Sequence, residues 1–399
     1  MSIAITPFTK QQLLPQEEKL EVSRRKSDLF IGIPKETSYQ ERRICLTPDA
    51  VNSLSFNGHR VMIESGAGES SSYSDKEYSD AGAEVTKDTA KVFGCPMILK
   101  VGPPTLAEIA MMNNQTILIS SIQLKTMQKS YFEALSKKKI TALAFEYIKD
   151  EDGSYPAVRS SSEIAGTASI LIAAELMITN EFGKGLLFGN ITGVPPTDVV
   201  ILGAGTVGEF AAKTAIGLGA SVKVFDNSIT KLRRLQNNLN QRIFTSTIQS
   251  KSLLKALRRC DVAIGAMTGL QRCPVVVTET MVEHMKRGAV IVDVSIDTGG
   301  CFETSEVTSH EKPTFIKSNV VHYCVPNIAS RYSKTASLGI SNIISPFLMQ
   351  IAEDGGLESA IRCDVGLKHG VYFYHGILTN KVIGDWFDLP NNDINLIVF

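Results

Sequence analysis

Residues 199–226 place an apolar strand, a glycine-rich turn, a helix, a second strand and an acid in one order, and few folds accommodate that order. The strand is Val199-Val200-Ile201-Leu202, and the turn is Gly203-Ala204-Gly205-Thr206-Val207-Gly208. Helix-compatible residues run to Ile216, and Ser221-Val222-Lys223-Val224-Phe225 leads into Asp226. A dinucleotide pyrophosphate needs backbone N–H groups at a helix start with no side chain in the way. Gly203 permits the tight turn, Gly205 lets the chain approach the phosphates, and Gly208 lets helix and strand pack closely. Thr206 and Val207 then open the helix. Asp226 follows Gly208 at about the spacing expected of a carboxylate that accepts from a ribose 2′-hydroxyl, roughly 20 residues. A ligand-free glycine turn is the competing reading, and the flanking strands and the acid weigh against it. The carboxylate would repel a 2′-phosphate, which favours NAD over NADP, although Lys231, Arg233 and Arg234 follow closely.

With 399 residues the chain has room for two or three domains. Lys plus Arg equals Asp plus Glu at 41 each, so no basic field draws in nucleic acid or an anionic membrane. The seven cysteines (45, 95, 260, 273, 301, 324 and 363) form no CxxC pair and no disulfide framework, which fits a reducing cytoplasm. His322 and Cys324 are too few to make a metal site, so no metal is expected. Residues 1–27 carry glutamines, glutamates and Arg24-Arg25-Lys26 without an apolar core, and are read as an extension rather than a signal peptide. Nowhere do 18 apolar residues run together, so no membrane span is expected.

Short apolar runs at 29–33, 61–64, 97–101, 117–122 and 141–145 alternate with helix-compatible stretches at 48–57, 75–81 and 127–136. After Asp226 the runs continue at 261–264, 289–294 and 320–325. Such alternation predicts an α/β fold of two doubly wound, Rossmann-like lobes with a cleft between them. Long helices predicted at 162–178 and 335–352 would join the lobes. The substrate domain is then discontinuous (28–160 and 334–399) around a nucleotide-binding Rossmann domain at 161–333.

From about Phe30 onward the chain resembles the alanine dehydrogenase and nicotinamide nucleotide transhydrogenase α-subunit family. The matching stretches are IGIPKET (31–37), RICLTP (43–48), ESGAGE (64–69), SEIAG (162–166), the glycine turn, DVSIDTGGCFE (293–303) and YCVPN (323–327). DTGGCFE (297–303) and the segment near Asn327 lie closer to the alanine dehydrogenase branch. The resemblance implies reversible reductive amination of pyruvate with NADH, and a homo-oligomer, a hexamer or a dimer. It also implies residue roles. Arg43 would grip the substrate carboxylate, and Asp297 would hold ammonia or water beside the reacting carbon. Ser162, which could equally be a helix N-cap, would touch a phosphate. Lys231 would lie near the adenosine ribose, and Asn327 beside the nicotinamide.

Two positions depart from the family pattern. KVGPP (100–104) puts Gly102 where the dehydrogenases carry a catalytic lysine, and Ile122-Gln123-Leu124 puts Gln123 where they carry a catalytic histidine. Glycine can neither polarise a keto oxygen nor move a proton, and an amide cannot exchange one near neutral pH. Lys100 and Lys125 each lie two residues from a lost position; on extended chain each would share its side, as would a lysine simply facing water. The leading expectation is an NAD-dependent alanine dehydrogenase acting on a small 2-oxo acid or amino acid. The alternatives are a catalytically weakened NAD(H)-binding module, a related dehydrogenase with a larger amino-acid substrate, and the soluble component of a membrane transhydrogenase.

Overall fold

The computed structural model describes residues 26–179, 183–268 and 272–398. The expectation for residues 1–27 therefore falls almost wholly outside the described residues. Two sheets carry the described residues. The first has eight strands: β1 (Phe30–Ile33), β2 (Arg60–Glu64), β3 (Glu84–Thr86), β4 (Met97–Leu99), β5 (Ile117–Ser120), β6 (Thr141–Ala144) and, far later, β14 (Val371–Tyr374) and β15 (Ile377–Leu378). The second has seven: β7 (Asp198–Leu202), β8 (Ser221–Phe225), β9 (Phe244–Ser246), β10 (Val262–Gly265), β11 (Val290–Asp293), β12 (Thr314–Lys317) and β13 (Val320–Tyr323).

Both sheets share one plan. The strand orders are β15-β14-β6-β5-β4-β1-β2-β3 and β12-β13-β11-β10-β7-β8-β9. Pairing is parallel throughout except at one end of each sheet, where β14, β15 and β12 pair antiparallel. Each sheet therefore begins in its middle and winds outward in both directions, so strand order reverses at β1/β4 and at β7/β10. A crevice opens beyond the carboxyl ends of the strands at such a reversal. Both faces of the sheets are covered, which explains why their strands read as apolar runs rather than alternations. In the first sheet, Ile31, Ile63, Leu99 and Ile119 fill one core, and Met62, Ile98, Leu118 and Ala142 fill the opposite one. The second sheet divides Val199 and Ile201 from Val200 and Leu202 in the same way.

Two 21-residue helices, Pro156–Leu176 and Ser333–Glu353, join the lobes and pack on each other. The first starts six residues earlier than the predicted 162, because Pro156 takes the first helical position, where its missing N–H costs nothing. Ser162 consequently lies in the second turn, and its expected N-cap role is corrected. The second helix, with its lead-in from Ile328, is long and apolar enough to cross a bilayer. Its hydroxyls are instead bonded into the core: Ser337 Oγ accepts from Ile44 N at 2.9 Å and Ser341 Oγ from Thr47 N at 3.1 Å. The aromatic run 372–374 lies in β14, which pairs against β6.

Candidate active site

Each glycine of the nucleotide turn has a distinct local reason. Gly203 takes φ +111°, and a Cβ there would collide with the carbonyl of Ala266, just past β10. A Cβ on Gly208 would collide with the carbonyl of Gly203. Over Gly205, by contrast, a Cβ would meet open space, and as N-cap of the helix Thr206–Gly217 it supplies no side-chain bond to the first-turn N–H groups. This is the cradle that a pyrophosphate requires: tight beneath, open above, and at the N-terminus of a helix. The Asp226 carboxylate accepts from Ala204 N at 2.8 Å and from Ser228 N at 2.7 Å, fastening the turn to the next helix start. A carboxylate has about four acceptor sites, so two remain. Lys231 is exposed, and its N–H is held by the Ser228 cap at 3.3 Å. Ser162 is partly buried on the connecting helix, whose Gly166 lets the carbonyl of Val207 approach.

The segment after β1 reaches the chain that follows β13. The Arg43 guanidinium forks onto Glu41, Nε to Oε1 at 2.7 Å and Nη2 to Oε2 at 2.6 Å. Asn327 Nδ2 donates to the same Glu41 Oε2 at 3.0 Å, while Asn327 N donates to Asp297 Oδ1 at 2.9 Å. Arg43 and Asp297 are thus joined through Glu41 and Asn327, across the seam between the lobes. Burial pushes the Glu41 carboxyl up, but the Arg43 charge and hydrogen bonds outweigh it and hold the group below its ordinary range. Two of the five guanidinium N–H donors are engaged, so three are left for a second carboxylate.

Asp297 sits in the short helical turn Val294–Thr298, closed by Gly299 at φ +102°. The residue is solvent-exposed, yet protein crowded around the carboxyl desolvates it. That crowding raises its pKa, against the Asn327 N–H and the charges of Arg43 and Lys125. Asp293, four residues earlier, is buried and holds the loop by accepting from Ser295 N, Cys301 N and Ser305 Oγ.

The two departures from the family pattern look different in three dimensions. Lys100 is fully buried, with Nζ 3.2 Å from Glu108 Oε1 and 3.5 Å from Glu36 Oε2. A Cβ on Gly102 would collide with Ser38 Oγ, so the volume a larger side chain would need is filled. Past β5 the chain is not extended. Gln123 takes φ +45° and Leu124–Thr126 forms a helical turn, so the period-two argument that aligned Lys125 with residue 123 does not apply. Lys125 is exposed, near enough to Asp297 for its charge to be felt.

Sequence reading passed over the acids that frame both positions. Glu36 Oε1 accepts from Val101 N at 2.5 Å and its Oε2 from Gly102 N at 3.2 Å. Glu146 Oε1 accepts from Ile122 N at 2.9 Å and Gln123 N at 3.4 Å, whereas its buried Oε2 has no hydrogen-bond partner among the described residues. Burial, only partly offset by Lys100 for Glu36 and by these N–H groups for Glu146, lifts each carboxyl to about 7. The available signal was position, since Glu36 and Glu146 lie just past the carboxyl ends of β1 and β6. His322, paired in the sequence with Cys324, is buried and bonded to Thr304 and to the Val320 carbonyl.

Comparison with known proteins decides the lineage. The profile "Alanine dehydrogenase/PNT, N-terminal domain" matches residues 32–165, and "Alanine dehydrogenase/PNT, C-terminal domain" matches 169–381. The chain belongs to the alanine dehydrogenase and PNT family. It is 36% identical to an alanine dehydrogenase of Mycolicibacterium smegmatis over 92% of this chain and 98% of that protein. It is 37% identical to an alanine dehydrogenase of Methanococcus maripaludis over 91% and 97% respectively. A solved L-alanine dehydrogenase superposes with a TM-score of 0.85 at 34% identity, over 90% of this chain and 99% of that one. A transhydrogenase from Sinorhizobium meliloti shares the fold, with a TM-score of 0.75 at 24% identity over 88% and 99%.

Proposed function

We propose that this family member is an NAD-dependent alanine dehydrogenase that catalyses reversible oxidative deamination of L-alanine to pyruvate and ammonia. The observation that carries this reading is the linkage of Arg43 to Asp297 through Glu41 and Asn327. On this assignment residues 161–333 hold the cofactor. Gly203, Gly205 and Gly208, with the N–H groups of Thr206 and Val207, cradle the pyrophosphate, Ser162 touches a phosphate, and Asp226 takes the ribose hydroxyls near Lys231. Asp226 also disfavours a 2′-phosphate, so NAD rather than NADP is the partner. When bound, the nicotinamide gives or takes the hydride at the substrate 2-carbon.

Residues 28–160 and 334–399 hold the substrate. Arg43 uses its remaining N–H groups for the carboxylate, a permanently charged fork suited to that shape. Asp297 accepts from ammonia or water next to the reacting carbon, and Asn327 fixes the carboxylate that does so. Lys100, held between Glu36 and Glu108, keeps the loop bearing Gly102 in place, while Lys125 is the exposed cation that can approach Asp297. Gln123 offers an amide donor where the family carries its imidazole. We further assign the enzyme to the cytoplasm and to a homo-oligomer, hexamer or dimer.

The test is NADH consumption by the purified protein with pyruvate and ammonium, and its loss in Arg43→Leu. The alternative of a weakened NAD(H) holder is favoured by Gly102 and Gln123, and tight NADH binding without turnover on any small 2-oxo acid would establish it. A larger substrate draws no room from Gly102, because Ser38 occupies it.

A further inference from the structure

The stretch that carries Arg43 is pinned from outside its own sheet. Ser330, in the helical turn Ile328–Tyr332 that follows β13, is fully buried. Its Oγ accepts from Arg42 N at 2.9 Å and donates to the Gln40 carbonyl at 2.7 Å. One hydroxyl therefore holds the backbone on both sides of Glu41, whose carboxylate in turn holds Arg43 and Asn327. Asn327 lies three residues before Ser330, and Ser330 N donates to its carbonyl at 2.9 Å. Two contacts thus run side by side from the chain after β13 to the chain after β1, one to the Glu41 side chain and one to the backbone around it.

We propose that Ser330 is a positioning residue for substrate binding: it sets the turn Gln40–Arg42, and with it Glu41 and the Arg43 fork, so that the anchor for the substrate carboxylate is placed by the chain of the nucleotide-binding lobe. The inference rests on the dehydrogenase reading above. Ser330 touches no substrate and acts only through this turn. Gln40 shows why the turn needs a clamp. It takes φ +61°, a conformation that a residue with a Cβ keeps only where its surroundings hold it there. A hydroxyl has one proton to donate and lone pairs to accept with, so Ser330 alone serves the Gln40 carbonyl and the Arg42 N–H together.

Other buried serines meet the same stretch differently. Ser337 and Ser341, farther along the connecting helix, each accept from a single backbone N–H, those of Ile44 and Thr47. Neither brackets a residue of the Arg43–Glu41–Asn327–Asp297 chain from both sides. Without Ser330, Gln40 relaxes toward ordinary backbone, Glu41 turns with its neighbours, and the Arg43 donors lose their register against Asp297. A guanidinium fork must meet two carboxylate oxygens at once, so a small displacement weakens the grip.

The experiment is steady-state kinetics of Ser330→Ala, with Ser341→Ala as the matched loss of a buried hydroxyl. In Ser330→Ala the KM for pyruvate should rise about tenfold or more, the scale of two lost hydrogen bonds. KM for NADH should stay unchanged, since the glycine turn and Asp226 are built without Ser330. Ser341→Ala should lower the melting temperature and leave both KM values alone. Equal rises in pyruvate KM in the two variants, or a Ser330→Ala whose only loss is in kcat, overturns the proposal. Should Ser330→Ala not fold, Ser330→Cys takes its place: a thiol bonds both groups weakly, so pyruvate KM should still rise, and a wild-type KM overturns the proposal. A wild type that turns over no 2-oxo acid overturns the dehydrogenase reading instead. The clamp is then read by hydrogen–deuterium exchange, which over residues 40–44 should be faster in Ser330→Ala than in Ser341→Ala. Equal exchange in the two variants overturns the clamp.

Discussion

Arg43 does two separable things. It is buried against Glu41, and in the proposed reading its remaining donors take the substrate carboxylate. Removing one partner of a buried pair typically costs about 3–5 kcal/mol, because the other is left charged and dry, whereas replacing both with apolar groups is often neutral. Arg43→Leu should therefore lower the urea midpoint strongly, and Arg43→Leu with Glu41→Leu should recover most of it. Neither variant should regain turnover, which separates the fold from the chemistry. Asp297 calls for the opposite pattern. Asp297→Asn keeps an oxygen for the Asn327 N–H, so thermal melting should barely move, while kcat falls about 10²–10⁴-fold, the usual scale for a lost acid–base group.

At the scale of elements, the glycine turn provides an internal contrast. Gly205→Ala adds a methyl into open space, and Gly208→Ala drives one into the Gly203 carbonyl. Calorimetric titration should show NADH affinity reduced by about tenfold or more in both, about 1.4 kcal/mol. Melting temperature should fall only in Gly208→Ala. Such local geometry was legible in the sequence because glycine spacing, an apolar strand and a trailing acid all report on contacts within thirty residues. The parallel strands were legible for the same reason, each being a buried run. What escaped reading depends on distant partners. Strand β14 is a strand because β6 lies beside it, more than two hundred residues earlier in the chain. The helical turn after Gln123 exists because Glu146 gathers the N–H groups of 122 and 123. The Arg43, Asp297 and Asn327 positions were readable through family motifs, but Glu41, which ties them together, carried no such mark.

For the whole molecule, Glu36 and Glu146 give an unusual pH response. Both carboxyls titrate near 7 when folded, against an ordinary 4.5. Between those values the folded protein holds protons that the unfolded chain has released, so stability falls as pH rises through that window. Their contribution is fully present below about 4.5 and is lost above about 7. Melting curves from pH 5 to 7.5 should show a declining midpoint, and the decline should flatten in the double variant Glu36→Gln, Glu146→Gln.

The path of the chain between the two sheets also bears on how the protein is made. Strands β7 to β13 are contiguous, spanning 198–323, whereas the first sheet lacks its far edge until 371–378 has been added. Domains tend to mature as units while synthesis proceeds. The middle lobe should therefore close on the ribosome first, with the earlier-translated half waiting, its β6 edge bare and open to chaperones, for the last strands to emerge.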